Sequence, residues 1–290
     1  MNPEHTLLLT PLVPLVGSAC IAALGRQPNL REAATLLTAC VLLVLVISLL
    51  PTLHSGAPPE ITVAEPIAGL PIALHAEPLG LLFALVASFL WLVTSLYSIG
   101  YMRGHGEANQ TRFYVFFAIA IASAMGIAFA ANMFTLFVFY EALTLSTYPL
   151  VTHAGSDEAR RAGRIYLGIL LGTSLVVLLL AMVWTWQLAG SLDFVPGGVL
   201  AGKADPGIAS VLLVLYVFGI GKAAVMPLHR WLPAAMVAPT PVSALLHAVA
   251  VVKAGVFTIL KVVVYLLGVD VVSAAGSRTG LLYVAAATIV

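Results

Sequence analysis

The sequence has 290 residues, of which 61% are hydrophobic and 9% charged, and its formal net charge is +1. Soluble domains carry about 25% charged residues, and the continuous apolar runs differ from the alternating strands of a membrane β-barrel. The near-zero charge also argues against binding to nucleic acid. The composition therefore predicts an all-α, polytopic helical membrane protein.

Apolar runs long enough to cross a bilayer predict eight complete transmembrane helices and the start of a ninth. The first run follows MNPEH, which lacks the basic residues of a signal peptide, so we interpret it as a retained helix. The ninth begins near Gly280 and is too short at Val290 to cross, which predicts a fragment or an unusual C-terminus. The eight spans cover about 6–25, 33–53, 79–101, 112–130, 132–153, 164–190, 208–228 and 242–268.

Two loops between these spans are rich in turn-forming residues. The loop at 54–78 contains EITVAEPIAGLPIAL, whose alternation and Pro/Gly content predict a short β-hairpin outside the membrane. The segment 193–207 is predicted to be a second outside loop.

Basic residues are unevenly divided between the two sets of loops. Even-numbered loops contain Lys203 before the eighth span, and Arg278 follows that span. Because basic loops stay in the cytoplasm, we expect the N-terminus outside and a bacterial-type inner membrane as the location. The odd-numbered loops contain Arg26, Arg31, Arg103, Arg112, Arg160, Arg161, Arg164 and Arg230.

The seventh span is predicted to be discontinuous. Gly219 and Gly221 precede Lys222, and Pro227 and Pro233 follow it. Proline removes a backbone donor and disrupts the preceding turn. Broken helices at membrane depth are tolerated where they are buried in protein or line a wet cavity, and transporters use them beside ion sites. A kinked structural helix is the alternative.

Three charged residues, Glu141, Lys222 and Lys253, lie within apolar runs. A charge at the bilayer centre costs about 2.5–3.5 kcal/mol or more, so such residues usually face the bundle interior, pair and mark ion routes. Counted along their helices, Glu141 and Lys222 lie roughly 14 and 21 Å from the outer ends of their spans, and Lys253 lies roughly 17 Å from the inner end of its span, so all three fall in or near the middle third of a core about 30 Å thick. This common depth predicts a midplane Glu–Lys–Lys proton relay, and a static ion-pair staple is the alternative.

Three further residues are candidates for proton or ion translocation. An unperturbed histidine titrates near neutrality, so His247 either relays protons or is a hydrogen-bonded interior histidine. His229 lies at the inner end of the seventh span, where it could take up protons. Lys261 lies about two turns beyond Lys253 and either extends the relay or snorkels to the interface.

No catalytic residue, metal site or cofactor is predicted. Cys20 and Cys40 have neither a CxxC nor a metal spacing, and we interpret them as small core residues. An electron-carrying haem b subunit needs histidines facing each other at matched depth, and His247 alone is deep. Because no Rossmann, flavin or Fe–S motif is present, redox chemistry would belong to partner subunits.

The strings FVFYEALTLSTYPLV, KAAVMPLHRWLPAAMVAPTPVSALLHA and VVKAG resemble antiporter-like proton-translocating membrane subunits. These subunits occur in respiratory complex I, Mrp-type Na+/H+ antiporters and membrane-bound hydrogenases, and the fifth span looks closest to the D-like branch of the Mrp proteins. HAEPLGLLF and YSIGYMRG also match the family's N-terminal region, with Glu77 where an Asp is commoner.

This resemblance implies a protein of about fourteen spans with two inverted five-helix repeats. It implies N-terminal spans in 1–111, a first repeat in 112–270 and the start of a truncated second repeat in 271–290. The family's carboxylate falls on Glu141, and its two lysines fall on Lys222 and Lys253. His247 matches a histidine often found in that helix.

The implied function is translocation of protons, or of protons with Na+ or K+, within a multisubunit membrane complex. Other membrane subunits of an antiporter or respiratory complex are the expected partners. A structural or anchoring subunit with static ion pairs is the alternative function.

Overall fold

The computed structural model of the chain describes residues 2–54, 58–274 and 276–289. Among these residues, seven helices are long and apolar enough to cross a membrane, and this confirms the prediction of a polytopic helical membrane protein. These helices are Pro3–Ala23 (α1), Pro28–Leu49 (α2), Pro78–Gly104 (α3), Gln110–Ala128 (α4), Met133–Val151 (α5), the continuous helix Asp157–Ala189, and Thr240–Leu267.

Several of these helices begin at residues that favour a helix start. The Asn132 side chain accepts a hydrogen bond from the Thr135 amide at 2.7 Å and caps α5. Ser156 caps the continuous helix in the same way, accepting from the Ala159 amide at 3.1 Å. Proline occupies the first turn of α1, α2 and α3, where its missing amide is not needed.

The continuous helix contains a wider, π-helical turn. Asp157–Gly172 (α6) and Leu179–Ala189 (α7) are joined through the π-helical residues Thr173–Leu178. Such insertions are frequent at functional sites, and this one packs against the next helix.

The predicted seventh span is discontinuous, as the sequence indicated. Its helix, Pro206–Gly219 (α8), has 14 residues and is therefore only about 21 Å long. Two short 3-10 turns follow, at Gly221–Ala223 and Leu228–Arg230, and the α-helix resumes at Trp231–Ala235 (α9). Ala224 has φ of 54°, a left-handed conformation that ends any regular helix at this point.

The predicted eighth span is also irregular, which the sequence analysis did not predict. Thr240–Ala244 (α10) and Val251–Lys261 (α11) are regular, while Leu245–Val249 and Val262–Leu267 are π-helical. Each wider turn changes the direction in which the following side chains point. The short helices Val269–Ala274 (α12) and Arg278–Ile289 (α13) complete the described chain.

The predicted β-hairpin is confirmed. Glu60–Ile67 (β1) pairs antiparallel with Leu70–His75 (β2), and Gly69 has the positive φ of 81° that the turn requires. The hairpin is bonded to the α4–α5 connection, since the His75 amide donates to the Phe129 carbonyl at 2.7 Å.

The predicted domain division stays a prediction, because the structure does not test it. Residues 55–57 of the predicted 54–78 loop lie outside the described residues. So do residues 275 and 290 of the predicted 271–290 segment.

Helix α4 is the centre of the bundle and contacts α1, α3 and α5. The surface of α4 is rich in small residues, mainly alanine with Gly126, so the backbones of neighbouring helices approach it closely, as is common between membrane helices. At Gly126 an added Cβ would collide with the Phe139 ring of α5. The interpretation of Cys20 and Cys40 as core residues is wrong, because both are exposed on the outer faces of α1 and α2.

The two ends of the bundle differ in character. At the hairpin end lie the start of α1, the β1–β2 hairpin and the loop after α7. At the opposite, arginine end lie the loops after α1, α3 and α5, with Arg26 in the first loop, Arg103 in the last turn of α3 and Arg160 in the first turn of α6. The side of the membrane that each end faces stays a prediction.

A buried charged network ties α2 to its neighbours at the arginine end. The Glu32 carboxylate is 4% exposed and accepts hydrogen bonds from Arg103 Nε at 2.9 Å and Arg31 Nη2 at 3.1 Å. Arg31 also donates to Gln110 at the start of α4 at 2.8 Å. Because the carboxylate is satisfied by two arginines, the network stabilises the junction of α2, α3 and α4.

Candidate ion-translocation site

The break after α8 encloses the side chain of Lys222 completely. Close packing leaves little room around this segment: a Cβ added to Gly221 would collide with Thr173, and one added to Gly255 of α11 would collide with the Ala223 backbone. The Gly221 carbonyl, freed by the break, accepts a hydrogen bond from Trp231 Nε1 at 3.0 Å. The broken helix is therefore a packed and satisfied element rather than a loose connection.

Tyr140 and Thr144 of α5 bind Lys222. The ammonium donates to the Tyr140 carbonyl at 2.8 Å and to Thr144 Oγ1 at 2.5 Å. It also lies 3.2 Å from the centre of the Tyr140 ring, and the Lys222 amide donates to the Tyr140 hydroxyl at 3.1 Å. Residues four apart on a helix share a face, so one face of α5 supplies all these contacts.

Glu141, next to Tyr140 on α5, points its carboxylate into the same region. Both carboxylate oxygens are enclosed and have no hydrogen-bond partner among the described residues. Lys222 interacts with this carboxylate electrostatically, but the described residues show no ion pair between the two. The Ser174 hydroxyl lies close enough to stabilise this carboxylate and donates to the Leu170 carbonyl at 2.8 Å. An enclosed carboxyl group without a partner needs a water molecule or a proton.

Further polar side chains connect α5 to the broken helix. The Thr147 hydroxyl, one turn from Thr144, is hydrogen-bonded to the Tyr166 hydroxyl of α6. The Tyr166 ring meets Trp231 edge-on at 5.6 Å between centroids, and Trp231 bonds the Gly221 carbonyl. These hydroxyl groups line one side of the Glu141–Lys222 region, and the sequence analysis did not find them.

Lys253 does not enter this region. Its side chain is exposed on the outer face of α11, which it shares with the exposed residues Val256 and Leu260. The three predicted charges therefore do not meet in one cluster in the described structure. The part that Lys253 plays in a relay stays a prediction.

The two candidate histidines are half-buried and lie in irregular turns. His247 lies in the π-helical turn before α11, and its Nε2 is enclosed without a partner in the described chain. His229 lies in a 3-10 turn at the arginine end, where its Nδ1 is likewise enclosed without a described partner. Their roles in translocation stay predictions.

Lys261 does not snorkel, so that alternative is wrong. Its side chain is buried, forms an ion pair with Glu77 and donates to the Ala130 carbonyl at 3.2 Å. Glu77 immediately precedes α3, which places this pair at the hairpin end. The sequence offered no signal for the pairing, because the two residues are 184 positions apart.

His153, at the arginine end just beyond α5, is a buried titratable group that the sequence analysis missed. Burial, together with the nearby Arg112, lowers the pKa of His153, and Glu107 opposes this at 4.0 Å. Arg112 also donates to the His153 carbonyl at 2.9 Å. The imidazole therefore favours its neutral form in the folded protein.

A membrane bundle with a broken, lysine-bearing helix beside a buried carboxylate is typical of ion-translocating subunits. Residues 130–290, more than half of the chain, match the family described as NADH:quinone oxidoreductase/Mrp antiporter, transmembrane region. The chain belongs to this family. It is thus related to membrane subunits of cation/proton antiporter-like complexes.

Individual relatives agree with this assignment. Hydrogenase-4 component B of Escherichia coli is 36% identical over 74% of this chain and 32% of its own length. NADH-ubiquinone oxidoreductase chain 5 of Allomyces macrogynus is 34% identical over 65% of this chain and 29% of its own length. A putative antiporter subunit mnhA2 of Staphylococcus aureus is 28% identical over 66% of this chain and 24% of its own length.

This chain therefore spans about a quarter to a third of these curated relatives. None of the three carries the name of a D-like Mrp protein, so the finer resemblance to that branch stays a prediction.

Solved structures share the fold. The Mrp complex from a Dietzia species matches with a TM-score of 0.75 and 29% identity, over 87% of this chain and 27% of that chain. An archaeal membrane-bound sulfane sulfur reductase matches with a TM-score of 0.77 and 22% identity, over 95% of this chain and 55% of that chain. The second likeness concerns the fold alone.

Proposed function

We propose that this chain is part of a proton-translocating, or cation/proton-translocating, subunit of a multisubunit membrane complex. Glu141 and Lys222 bind and release the transported proton. The observation that carries the proposal is the enclosed lysine in a helix break, bound by neutral groups and beside a carboxylate without a described partner.

The contacts of Lys222 suit a group that changes its protonation state. An ammonium ion is stabilised here by a carbonyl dipole, a hydroxyl and an aromatic face. A neutral amine can keep the hydroxyl contact, because a hydroxyl both donates and accepts. Neither state leaves the nitrogen without a partner. This is a requirement for repeated gain and loss of a proton in a low-dielectric site.

The unpaired geometry of Glu141 supports movement of charge rather than static pairing. A staple would be expected to close into a hydrogen-bonded ion pair, since an isolated buried charge is costly. Instead the Glu141 oxygens have no partner among the described residues, and Lys222 bonds Tyr140 and Thr144. A water molecule or a small side-chain movement would connect the two groups, and its presence or absence would switch the proton between them.

The remaining candidates extend the path. His229, at the arginine end, takes up protons, and His247 relays them between the Glu141–Lys222 site and Lys253. Lys253 then passes charge sideways from its exposed face to a neighbouring membrane segment. Lys261 extends the relay at the hairpin end. The transported ion is H+, alone or in exchange for Na+ or K+. The protein lies in a bacterial-type inner membrane with its N-terminus outside.

Transport in the assembled complex tests this proposal. Lys222→Ala should abolish coupled proton or cation movement in sealed membrane vesicles, because the site loses the amine that binds the proton beside Glu141, while the complex still assembles on a native gel. Lys203→Ala is the matched control, since that lysine is exposed at the hairpin end and its ammonium donates to the Ala189 carbonyl at 2.9 Å. Undiminished transport in Lys222→Ala would overturn the proposal.

The anchoring alternative is separated by the double replacement Glu141→Gln with Lys222→Met. An ion-pair staple replaced on both sides by neutral groups of similar volume should keep or gain stability and keep transport. A translocation site should lose transport whatever happens to stability.

A further inference from the structure

The side chain of Tyr166 on α6 links the two elements that form the Lys222 site. Its hydroxyl is hydrogen-bonded to the Thr147 hydroxyl of α5. Thr147 lies one turn beyond Thr144, which accepts a hydrogen bond from the Lys222 ammonium at 2.5 Å. Tyr166 is therefore tied, through one face of α5, to a group that binds the ammonium.

The aromatic ring of Tyr166 reaches the broken helix from the other side. It meets the Trp231 ring edge-on, with 5.6 Å between the centroids. The Trp231 indole N–H in turn donates to the Gly221 carbonyl at 3.0 Å, and Gly221 directly precedes Lys222. Contacts thus run from α5 through Tyr166 and Trp231 to the break. We call the chain Thr147–Tyr166–Trp231 the Tyr166 bridge.

Close packing holds α6 in this position. A Cβ added at Gly163, one turn before Tyr166, would collide with the Thr152 side chain beyond the end of α5. Two turns after Tyr166, Thr173 lies so close to the break that it would collide with a Cβ added at Gly221. The continuous helix is therefore packed tightly between α5 and the break, so the Tyr166 bridge has little freedom to change its length.

Packing alone does not explain the Tyr166 hydroxyl, because a phenylalanine would fill the same space and meet Trp231 in the same way. The Thr147 hydroxyl has one hydrogen, which it donates to the Leu143 carbonyl of its own helix at 2.7 Å. Its oxygen is then left to accept a hydrogen bond from Tyr166. This bond ties the hydroxyl-bearing face of α5 to α6.

The Tyr166 bridge consists of neutral, fully buried groups that do not titrate near neutrality. Such groups act on the proton of Lys222 through geometry rather than through charge. A hydrogen bond weakens steeply when its geometry is poor. A small shift of α5 against the break therefore changes the strength with which Thr144 and the Tyr140 carbonyl hold the ammonium.

We propose that Tyr166 is a positioning residue of the ion-translocation site: it sets the separation between α5 and the break, and with it the pH range in which Lys222 takes up and releases a proton. The proposal rests on the proposed function of Lys222 and gives α6 a part in that function. Without the Tyr166 hydroxyl, α5 is free to move from the break, the ammonium loses contacts, and the neutral amine is favoured.

Coupled transport by the assembled complex in sealed vesicles, measured across a pH series, tests this role. Tyr166→Phe keeps the ring and its contact with Trp231 but removes the hydroxyl. The alkaline limit of transport, where Lys222 no longer binds a proton, should move down by about one pH unit, the shift that tenfold weaker proton binding produces. Tyr216→Phe is the matched control and should leave the limit in place, because Tyr216 is also fully buried and its hydroxyl bonds Thr185 Oγ1 at 2.8 Å, between α7 and α8.

A second measurement does not depend on transport. Fluorotryptophan incorporated into the complex gives a fluorine NMR resonance for Trp231, assigned by its loss in Trp231→Phe. Thr147→Val removes the α5 partner of the Tyr166 hydroxyl and should shift this resonance, because Tyr166 transmits the change to Trp231. Thr147→Ser keeps the hydroxyl and should restore both the resonance and the alkaline limit. Thr185→Val, the same change at the control pair, should not shift the resonance.

A lower rate in Tyr166→Phe with an unmoved alkaline limit would overturn the proposal, since a purely structural loss lowers the rate at every pH. An equal shift in Tyr216→Phe, or an unmoved Trp231 resonance in Thr147→Val, would also overturn it. If Tyr166→Phe does not assemble, Thr147→Val replaces it in the transport assay. Normal transport in Lys222→Ala would defeat the proposed relay, whereas abolished transport there with no shift in Tyr166→Phe would defeat the positioning role alone.

Discussion

The hydroxyl of Thr144 offers a sharp test of the Lys222 site, because it can be removed without changing the volume of the side chain. Thr144→Val deletes the group that receives the Lys222 ammonium at 2.5 Å and leaves the Tyr140 carbonyl as the remaining oxygen partner. A hydrogen bond to a charged group contributes about 1.5–3 kcal/mol. Stabilisation of the protonated form of Lys222 should weaken by that amount, which changes its proton-binding equilibrium by about tenfold to a hundredfold.

Coupled transport in sealed vesicles should therefore fall by about tenfold or more in Thr144→Val. Thr258→Val is the matched control: Thr258 is fully buried on α11, and its hydroxyl donates to the Ala254 carbonyl of its own helix at 2.7 Å. Both variants lose one buried hydroxyl, so general destabilisation would affect them alike. Equal transport in the two variants would refute the assignment of Thr144 to the proton-binding site.

Three further predictions concern packing, charge and pH, each measured by thermal unfolding of the purified complex. Gly255→Ala should lower the free energy of unfolding by about 1–3 kcal/mol, because the added Cβ would collide with the backbone of the broken helix. Gly168→Ala is the control: its added Cβ meets nothing within 4 Å, so the free energy of unfolding should rise by up to about 1 kcal/mol. Glu32→Ala should lose about 3–5 kcal/mol, because two arginines lose their buried partner; a loss below about 1 kcal/mol would contradict the network. Folding lowers the pKa of His153, so the unfolded protein binds a proton there more readily than the folded protein does. The free energy of unfolding is therefore highest above about pH 6.5 and decreases as the pH falls below it. His153→Phe should flatten that acid slope, while the exposed His5→Gln should not.

Much of the architecture could be predicted because the bilayer dictates it locally. Apolar length places the spans, and the glycines and prolines around Lys222 interrupt one of them whatever its neighbours are. The hairpin likewise follows from alternation and turn residues within one short segment. Depth along a helix is also a local property, so the sequence placed Glu141 and Lys222 near the same level of the membrane.

The direction in which a side chain points could not be predicted, and it decides what each charge does. Membrane helices apolar on every side have no amphipathic face from which to read their rotation. The π-helical turn Leu245–Val249 rotates the side chains that follow it around the helix axis, and the hydrophobic pattern of the sequence does not reveal this rotation. For this reason Lys253 was expected inside the bundle and is exposed.

Sequence by itself determined a polytopic helical protein with a broken helix and charges at membrane depth, since hydropathy and backbone chemistry act within a single segment. Only the tertiary structure decided the partners of those charges. Tyr140 lies 82 positions before Lys222, and Glu77 lies 184 positions before Lys261. Such pairs form because helices pack at particular rotations, and packing between small and apolar residues depends on the whole bundle rather than on any one segment.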